Sequence, residues 1–253
     1  LLLTLLTTRS YLPFLLITVY KEAFCYTCSM AFQDIKSDQI IDYGFPEDME
    51  GYLVNQSQFE FLSGKIKKLA GINLEFGPKN LSLVSSRLNK LVLRRKVPSL
   101  QECIKGLRRG DPQVTKDFIS IMTTNTTSFF REPAHFDWLT EHLPAISKEK
   151  REQGDREFRI WCSASSTGEE VYTILITLIE AGFDFSYFSL RLLATDIDLN
   201  VLAAASKGVY LAESLKNVNS EIKEKYFSPY HDSKRAGDRC LKVKQEYRNM
   251  VHF

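Results

Sequence analysis

No run in this 253-residue chain is long and apolar enough to span a bilayer. Such a span needs about 20 consecutive apolar residues. The two apolar pieces near the start, Leu1 to Leu6 and Tyr11 to Tyr20, are interrupted by Arg9, Ser10 and Pro13. A secretory signal is not expected in these pieces, since no basic start precedes them and no small-residue cleavage site follows them. Cysteine usage excludes a disulfide framework. The five cysteines, Cys25, Cys28, Cys103, Cys162 and Cys240, are odd in number and scattered, which points to a reducing compartment. Cys25-Tyr-Thr-Cys28 is a lone C-x-x-C with no second pair and no histidine nearby, so no metal or redox role is expected. Charge of one sign is also lacking. With 33 basic against 31 acidic residues the net charge is +2, so the chain as a whole is no polyanion or nucleic-acid binder. Any basic function must be local.

What is present is uneven. Residues 1 to about 29 differ from the rest, and the first methionine is Met30. They read as translated upstream sequence or a fragment boundary, with a membrane anchor as the alternative. Residues 31 to 55 are acidic and rich in Gly and Pro, so 1–55 is expected to be an unassigned, flexible extension. From Gln56 the apolar spacing becomes helical. Phe59, Leu62, Ile66 and Leu69 share one face, and Gly71 fits the stop. A second helix, Lys79 to Val97, places Val84, Leu88 and Leu91 inward and Arg87, Lys90 and Arg94 on another face, with Pro98 ending it. A third runs from Ser99 to Leu107, and a fourth carries Val114, Phe118 and Met122. Four short amphipathic helices predict a small bundle over 56–135. The basic stripe Arg87-Lys90-Arg94 is either a solvated face or a surface for an acidic partner.

Polar residues Thr123 to Ser128 then form a loop before Phe129, Phe130 and Arg131. A fifth helix starts near Pro133 and is expected to end at Pro144. Residues 136–155 are expected to act as a linker.

The most informative stretch is Phe158 to Asp198. A short apolar strand, a small-residue turn, an apolar helix and a second strand ending at Asp196 predict a βαβ unit. Ligands of such sheets sit outside the carboxyl ends of the strands, where Gly168, Glu169, Glu170 and Asp196 fall. The turn has Gly168 alone, where a pyrophosphate cradle would need three glycines. Glu169 and Glu170 would repel a phosphate. An acid ending the second strand suits a ribose diol, and a nucleoside carrying an ammonium or sulfonium group suits the Glu pair. S-adenosylmethionine has both features. The alternative is an ordinary βαβ unit whose Glu pair caps a helix start. Beyond Asp198 the pattern predicts a helix through Val201–Ala205, another over Asn219–Tyr226, and a small hairpin pairing Leu241–Val243 with Val251–Phe253. With only two parallel strands, the sheet looks cut short.

Three segments together resemble the CheR family of chemotaxis receptor methyltransferases. They are Thr124-Asn-Thr-Thr-Ser-Phe-Phe-Arg131-Glu132, Trp161-Cys-Ser-Ala-Ser-Ser-Thr-Gly-Glu-Glu170 and Ala194-Thr-Asp-Ile-Asp198. The resemblance covers about Phe59 to Phe253. It implies an α/β fold class: an N-terminal all-α helical bundle domain, then a truncated Rossmann-like methyltransferase domain over 156–253. A small antiparallel β insertion is implied at about 208–253. The cofactor implied is S-adenosyl-L-methionine. The site residues implied are Asn125, Thr127, Arg131, Glu170 and Asp196, with Arg131 also catalytic. The partners implied are methyl-accepting chemotaxis receptors in the cytoplasm, docked through Arg87, Lys90 and Arg94. The product implied is a glutamate methyl ester. A carboxylate nucleophile is already ionised at neutral pH, so the absence of a Ser-His-Asp or paired-acid arrangement is expected. A receptor-docking module without turnover, or another small-ligand α/β protein, remain the alternatives.

Overall fold

The computed structural model describes residues 2–5, 15–18, 54–96, 99–231 and 238–253. Most of the 1–55 extension lies outside them, as do Cys25 and Cys28. The chain divides into two compact units, Lys21–Thr124 and Leu1–Tyr20 with Asn125–Phe253.

Among the described residues of the first unit, four helices form because each carries an apolar face and a local cap. Helix α1 (Gln56–Ala70) starts with a reciprocal capping box between Asn55 and Gln58 and stops at Gly71 in the left-handed region. Helix α2 (Pro78–Arg95) opens on Pro78, helix α3 (Leu100–Arg109) is capped by Ser99, and helix α4 (Pro112–Met122) by Asp111. Phe59, Leu62, Ile66, Val84, Leu88, Leu91, Leu107, Val114 and Phe118 fill their common core.

One member of the expected basic stripe is spent inside this unit. The Arg87 guanidinium donates to the Met122 carbonyl at 2.5 Å and to the Thr124 hydroxyl at 3.3 Å. It therefore caps the C-terminal end of α4, where carbonyls lack partners and a cation is favoured. Lys90 and Arg94 are exposed. Arg87→Ala should destabilise the helical unit by about 1–3 kcal/mol, since it removes charged hydrogen bonds from a half-buried group. Lys90→Ala should leave urea unfolding unchanged, and equal midpoints for the two variants would count against the capping role.

The second unit holds a five-stranded sheet in the order β1-β2-β3-β4-β8. Strands β1 (Leu2–Leu5) and β2 (Leu15–Thr18) are antiparallel to each other, and β2 lies parallel to β3 (Glu157–Ser163). Residues 2–5 and 15–18 of the expected extension are thus strands. Strands β3 and β4 (Ser189–Thr195) run parallel, with Ile160 opposite Leu192 and Cys162 opposite Ala194. Helix α6 (Glu169–Glu180) connects them and buries Val171, Ile174, Leu175 and Leu178. Phe158, Ile160 and Cys162 are buried while their neighbours on β3 are half-exposed, a one-sided alternation.

Three expectations change here. The predicted linker 136–155 is mostly helix α5 (Ala134–Glu152), which continues through Pro144. Its Leu139 and Leu143 join Phe129 in the sheet core, so loop and helix belong with the sheet and the helical unit ends at Thr124. Burial of that face outweighs the one backbone bond that an interior proline removes. After helix α7 (Leu199–Lys207), strands β5 (Val209–Leu211), β6 (Phe227–Tyr230) and β7 (Cys240–Val243) form an antiparallel sheet in the order β5-β7-β6. Helix α8 (Ser220–Tyr226) leads into β6, and the single turn α9 (Gln245–Arg248) follows β7. The expected hairpin does not form. Val251–His252 is instead strand β8, which pairs parallel to β4 with Val251 opposite Leu192. Among the described residues no helix is long and apolar enough to cross a membrane.

Candidate functional site

Three segments meet at the carboxyl ends of β3 and β4. The first is the turn Ala164–Gly168. Ala164, Ser166 and Gly168 all take positive φ, at 55°, 51° and 95°. Only glycine adopts such a conformation without cost, so Ala164 and Ser166 must be held by their surroundings. The Ser165 amide donates to the Thr195 carbonyl at 2.9 Å, which ties the turn to the end of β4. At 2.8 Å the Ser166 amide donates to Asp196 Oδ2, and its hydroxyl donates to the Asn125 carbonyl at 3.0 Å.

The second segment is the acidic end of β4. Asp196 Oδ1 accepts the Asp198 amide at 2.8 Å, so each oxygen of the Asp196 carboxylate holds one backbone N–H. Each retains acceptor capacity for a second donor, and the residue is half-exposed. Asp198 is buried and caps α7 through the Asn200 amide at 2.9 Å. Its other oxygen accepts the Asn125 side-chain amide at 2.9 Å. This second bond carries no sequence signal, because nothing local pairs residues 73 positions apart.

The third segment is the loop from Asn125 to Glu132. The Phe130 amide donates to the Thr173 hydroxyl at 3.2 Å, and that hydroxyl donates to the Glu169 carbonyl at 2.6 Å. The loop is thereby fastened to the first turn of α6. Phe130 and Glu132 have positive φ, at 53° and 56°. Arg131 is exposed and donates from Nη1 to the Thr126 carbonyl at 2.9 Å. Glu132 lies 4.0 Å from Arg131 and 3.5 Å from His135. Thr127 is half-buried in the same loop. Asn125, Thr127, Arg131 and Asp196 therefore lie on three mutually bonded segments, and Glu170 follows the turn in the first turn of α6. Arg87, Lys90 and Arg94 belong to the other unit.

Two carboxyls at the start of α6 are perturbed. Burial pushes Glu170 up from 4.5 to about 7, the Glu132 charge acts in the same direction, and Arg131 opposes both. Burial also raises Glu169, which accepts the Thr167 hydroxyl at 2.6 Å. Ionising Glu170 in the folded protein is thus unfavourable. Its stabilising contribution is fully present below about pH 4.5 and is lost as pH rises towards 7. Glu170→Gln should match the wild type near pH 4.5 and exceed its stability by about 1–3 kcal/mol at pH 8. Thermal unfolding at the two pH values checks this, and no gain at pH 8 would remove the burial argument. A cation placed beside Glu170 has the opposite effect, since it favours the carboxylate.

Residues 125–253 match the family model for the CheR methyltransferase, SAM binding domain. The match begins at Asn125, where the chain returns to the sheet-containing unit. The chain belongs to the CheR family. It is 34% identical over 198 residues to chemotaxis protein methyltransferase 2 of Pseudomonas aeruginosa, covering 78% of this chain and 66% of that protein. It is 33% identical over 186 residues to the chemotaxis protein methyltransferase of Borreliella burgdorferi, covering 72% and 63%. The Escherichia coli chemotaxis protein methyltransferase is 37% identical over 139 residues, covering 54% and 43%. The chain thus spans less than two thirds of the length of these relatives. S-adenosylmethionine is the methyl donor of the CheR domain. The residues fit it chemically. The donor carries no phosphate and two cationic centres, and this site offers the carboxyls of Glu170 and Asp196 without a glycine-rich phosphate cradle.

Proposed function

We propose that the protein transfers a methyl group from S-adenosylmethionine to glutamate side chains of methyl-accepting chemotaxis receptors, acting in the cytoplasm. We read the second unit as a Rossmann-like methyltransferase domain with a small antiparallel insertion, and the first as a receptor-docking bundle. The observation that carries the reading is the Asp196 carboxylate, anchored through Ser166 and Asp198 at the strand ends and still able to accept. Membership of the CheR family supports it.

Each residue has a defined task in this reading. Asp196 accepts hydrogen bonds from the ribose diol. Ile197 and Leu199, exposed apolar side chains beside it, offer a surface for the base. Glu170 faces the methionine ammonium, whose charge draws the carboxyl into its ionised form. Asn125 and Thr127 shape the loop that closes this side. When bound, S-adenosylmethionine supplies an electrophilic methyl group on a sulfonium sulfur. A substrate glutamate is ionised at neutral pH, so no protein base is needed. Arg131 orients that carboxylate beside Glu132 and Glu170, which would otherwise repel it. Alignment of two reactants then accounts for the acceleration.

The experiment pairs calorimetric titration of S-adenosylhomocysteine with a transfer assay from labelled S-adenosylmethionine to a receptor helix bearing glutamates. Alkali-labile label on the helix is the expected result. Binding without label would restrict the chain to cofactor recognition, and label on another side chain would overturn the glutamate assignment.

Lys90 and Arg94 carry the docking part. Their attraction to an acidic helix acts through solvent and weakens with salt, because the screening length is about 8 Å at physiological ionic strength. Reversing both to Glu should slow receptor association and flatten its salt dependence, leaving S-adenosylhomocysteine affinity unchanged. Coincident association curves across a salt series would make the stripe a solvated face. Arg87 is left out because reversing it would uncap α4.

A further inference from the structure

We infer that Tyr210, on the small antiparallel sheet, is a positioning residue for the cofactor turn. The inference rests on the cofactor reading above and extends it to a residue outside the three site segments. Tyr210 is 5% exposed, at the centre of β5. Its hydroxyl donates to the Thr167 carbonyl at 2.8 Å. Thr167 sits between Ser166 and Gly168, both in the left-handed region, so this carbonyl belongs to the tightest part of the turn that also holds Asp196. The same tyrosine reaches the other loop. Its ring meets Phe129 edge-on at 4.9 Å, and Phe129 meets Phe227 of β6 edge-on at 5.4 Å. Both outer strands of the small sheet therefore grip the loop that carries Asn125 and Arg131. One side chain bonds the turn and packs the loop.

The hydroxyl can approach because Gly168 has no Cβ. A methyl group there would lie 3.0 Å from Tyr210 Oη. Burial and the neighbouring Glu169 hold the phenol well above its ordinary pKa, so it stays protonated and acts as a donor.

The plainer account is that Tyr210 is a core tyrosine whose hydroxyl found a partner. Tyr172 provides the comparison. It is 1% exposed, its ring lies 6.3 Å from that of Tyr210, and its hydroxyl donates to the Ala205 carbonyl at 3.0 Å. The bond is of the same kind, but its acceptor is on α7 and not in the turn.

The test uses the full chain with Tyr210→Phe and Tyr172→Phe. Each variant keeps its ring and loses one buried hydroxyl. Thermal unfolding, titration with S-adenosylhomocysteine and amide hydrogen exchange at Ser166 to Glu170 in unliganded protein are compared. Both variants should lose similar stability. Tyr210→Phe alone should exchange faster in the turn and bind about three- to tenfold more weakly, as expected for one neutral hydrogen bond. Wild-type affinity and exchange in Tyr210→Phe would overturn the inference, as would equal losses of affinity in both variants. If wild type itself fails to bind, the cofactor reading falls. The exchange measurement, which needs no ligand, still decides whether Tyr210 holds the turn.

Discussion

Gly168→Ala should cost the sheet-containing unit about 3–5 kcal/mol and abolish S-adenosylhomocysteine binding, the sum of a left-handed backbone penalty and overpacking. Two separate effects add. The residue has φ 95°, a conformation that an L side chain rarely adopts. The new Cβ would also lie 2.9 Å from Ala205 Cβ, 3.0 Å from Tyr210 Oη and 3.1 Å from Ala205 Cα. Two of those atoms belong to a buried residue of α7, one of them backbone, so no flexible side chain can swing clear. Either α6 or α7 must shift, and both are rooted in the site. Asp198, the cap of α7, holds Asn125, and the turn entering α6 holds Asp196. Gly154 separates the two effects. It has φ 70° and nothing within 4 Å of the added carbon, so Gly154→Ala meets only the backbone penalty, about 1–2 kcal/mol. Urea unfolding of both variants gives the comparison. Equal losses would show that the space around Gly168 is not the constraint.

Much of this site could be read in the sequence because its chemistry is local. Phe158 to Ser163 and Ser189 to Thr195 are short apolar runs, and the helix between them lies in one continuous segment. Asp196 follows a strand directly, so its place at the sheet end comes from chain order alone. The Glu169-Glu170 pair opens a helix for the same reason. What escaped depends on residues far apart in sequence. Arg87 looks like a surface cation on its own helix, and only the end of α4, 35 positions on, converts it into a cap. Pro144 looks like a stop, and only burial of Leu139 and Leu143 in the sheet core shows why the helix continues. Val251 and His252 have the same alternation whichever sheet they join, so the pattern could not exclude pairing with β4. Tyr210 carries no signal at all, since its role lies in a bond to Thr167, 43 positions away.

Asp196→Asn should weaken S-adenosylhomocysteine binding by about ten- to hundredfold while leaving the secondary structure intact, because it replaces charged hydrogen bonds worth about 1.5–3 kcal/mol each. The carboxylate accepts on both sides from protein, with the Ser166 amide on Oδ2 and the Asp198 amide on Oδ1, each at 2.8 Å. Asparagine can accept on one side only. Its NH2 must then face a backbone N–H, donor against donor. The side chain will rotate or the turn will open, and either movement displaces the acceptor proposed for a ribose diol. Asp196→Ala leaves both amides without this acceptor and should lose more affinity and more stability than Asn. A second aspartate permits a control. Asp198→Asn changes the neighbouring buried acid, which serves the α7 cap and the Asn125 amide. It should lower thermal stability at least as much as Asp196→Asn, since Asp198 is the more deeply buried of the two. If Asp196 contacts the nucleoside, affinity per degree of lost melting temperature should fall more steeply for Asp196→Asn than for Asp198→Asn. A single line through both variants would mean that Asp196 only braces the turn, and the ribose would need another acceptor.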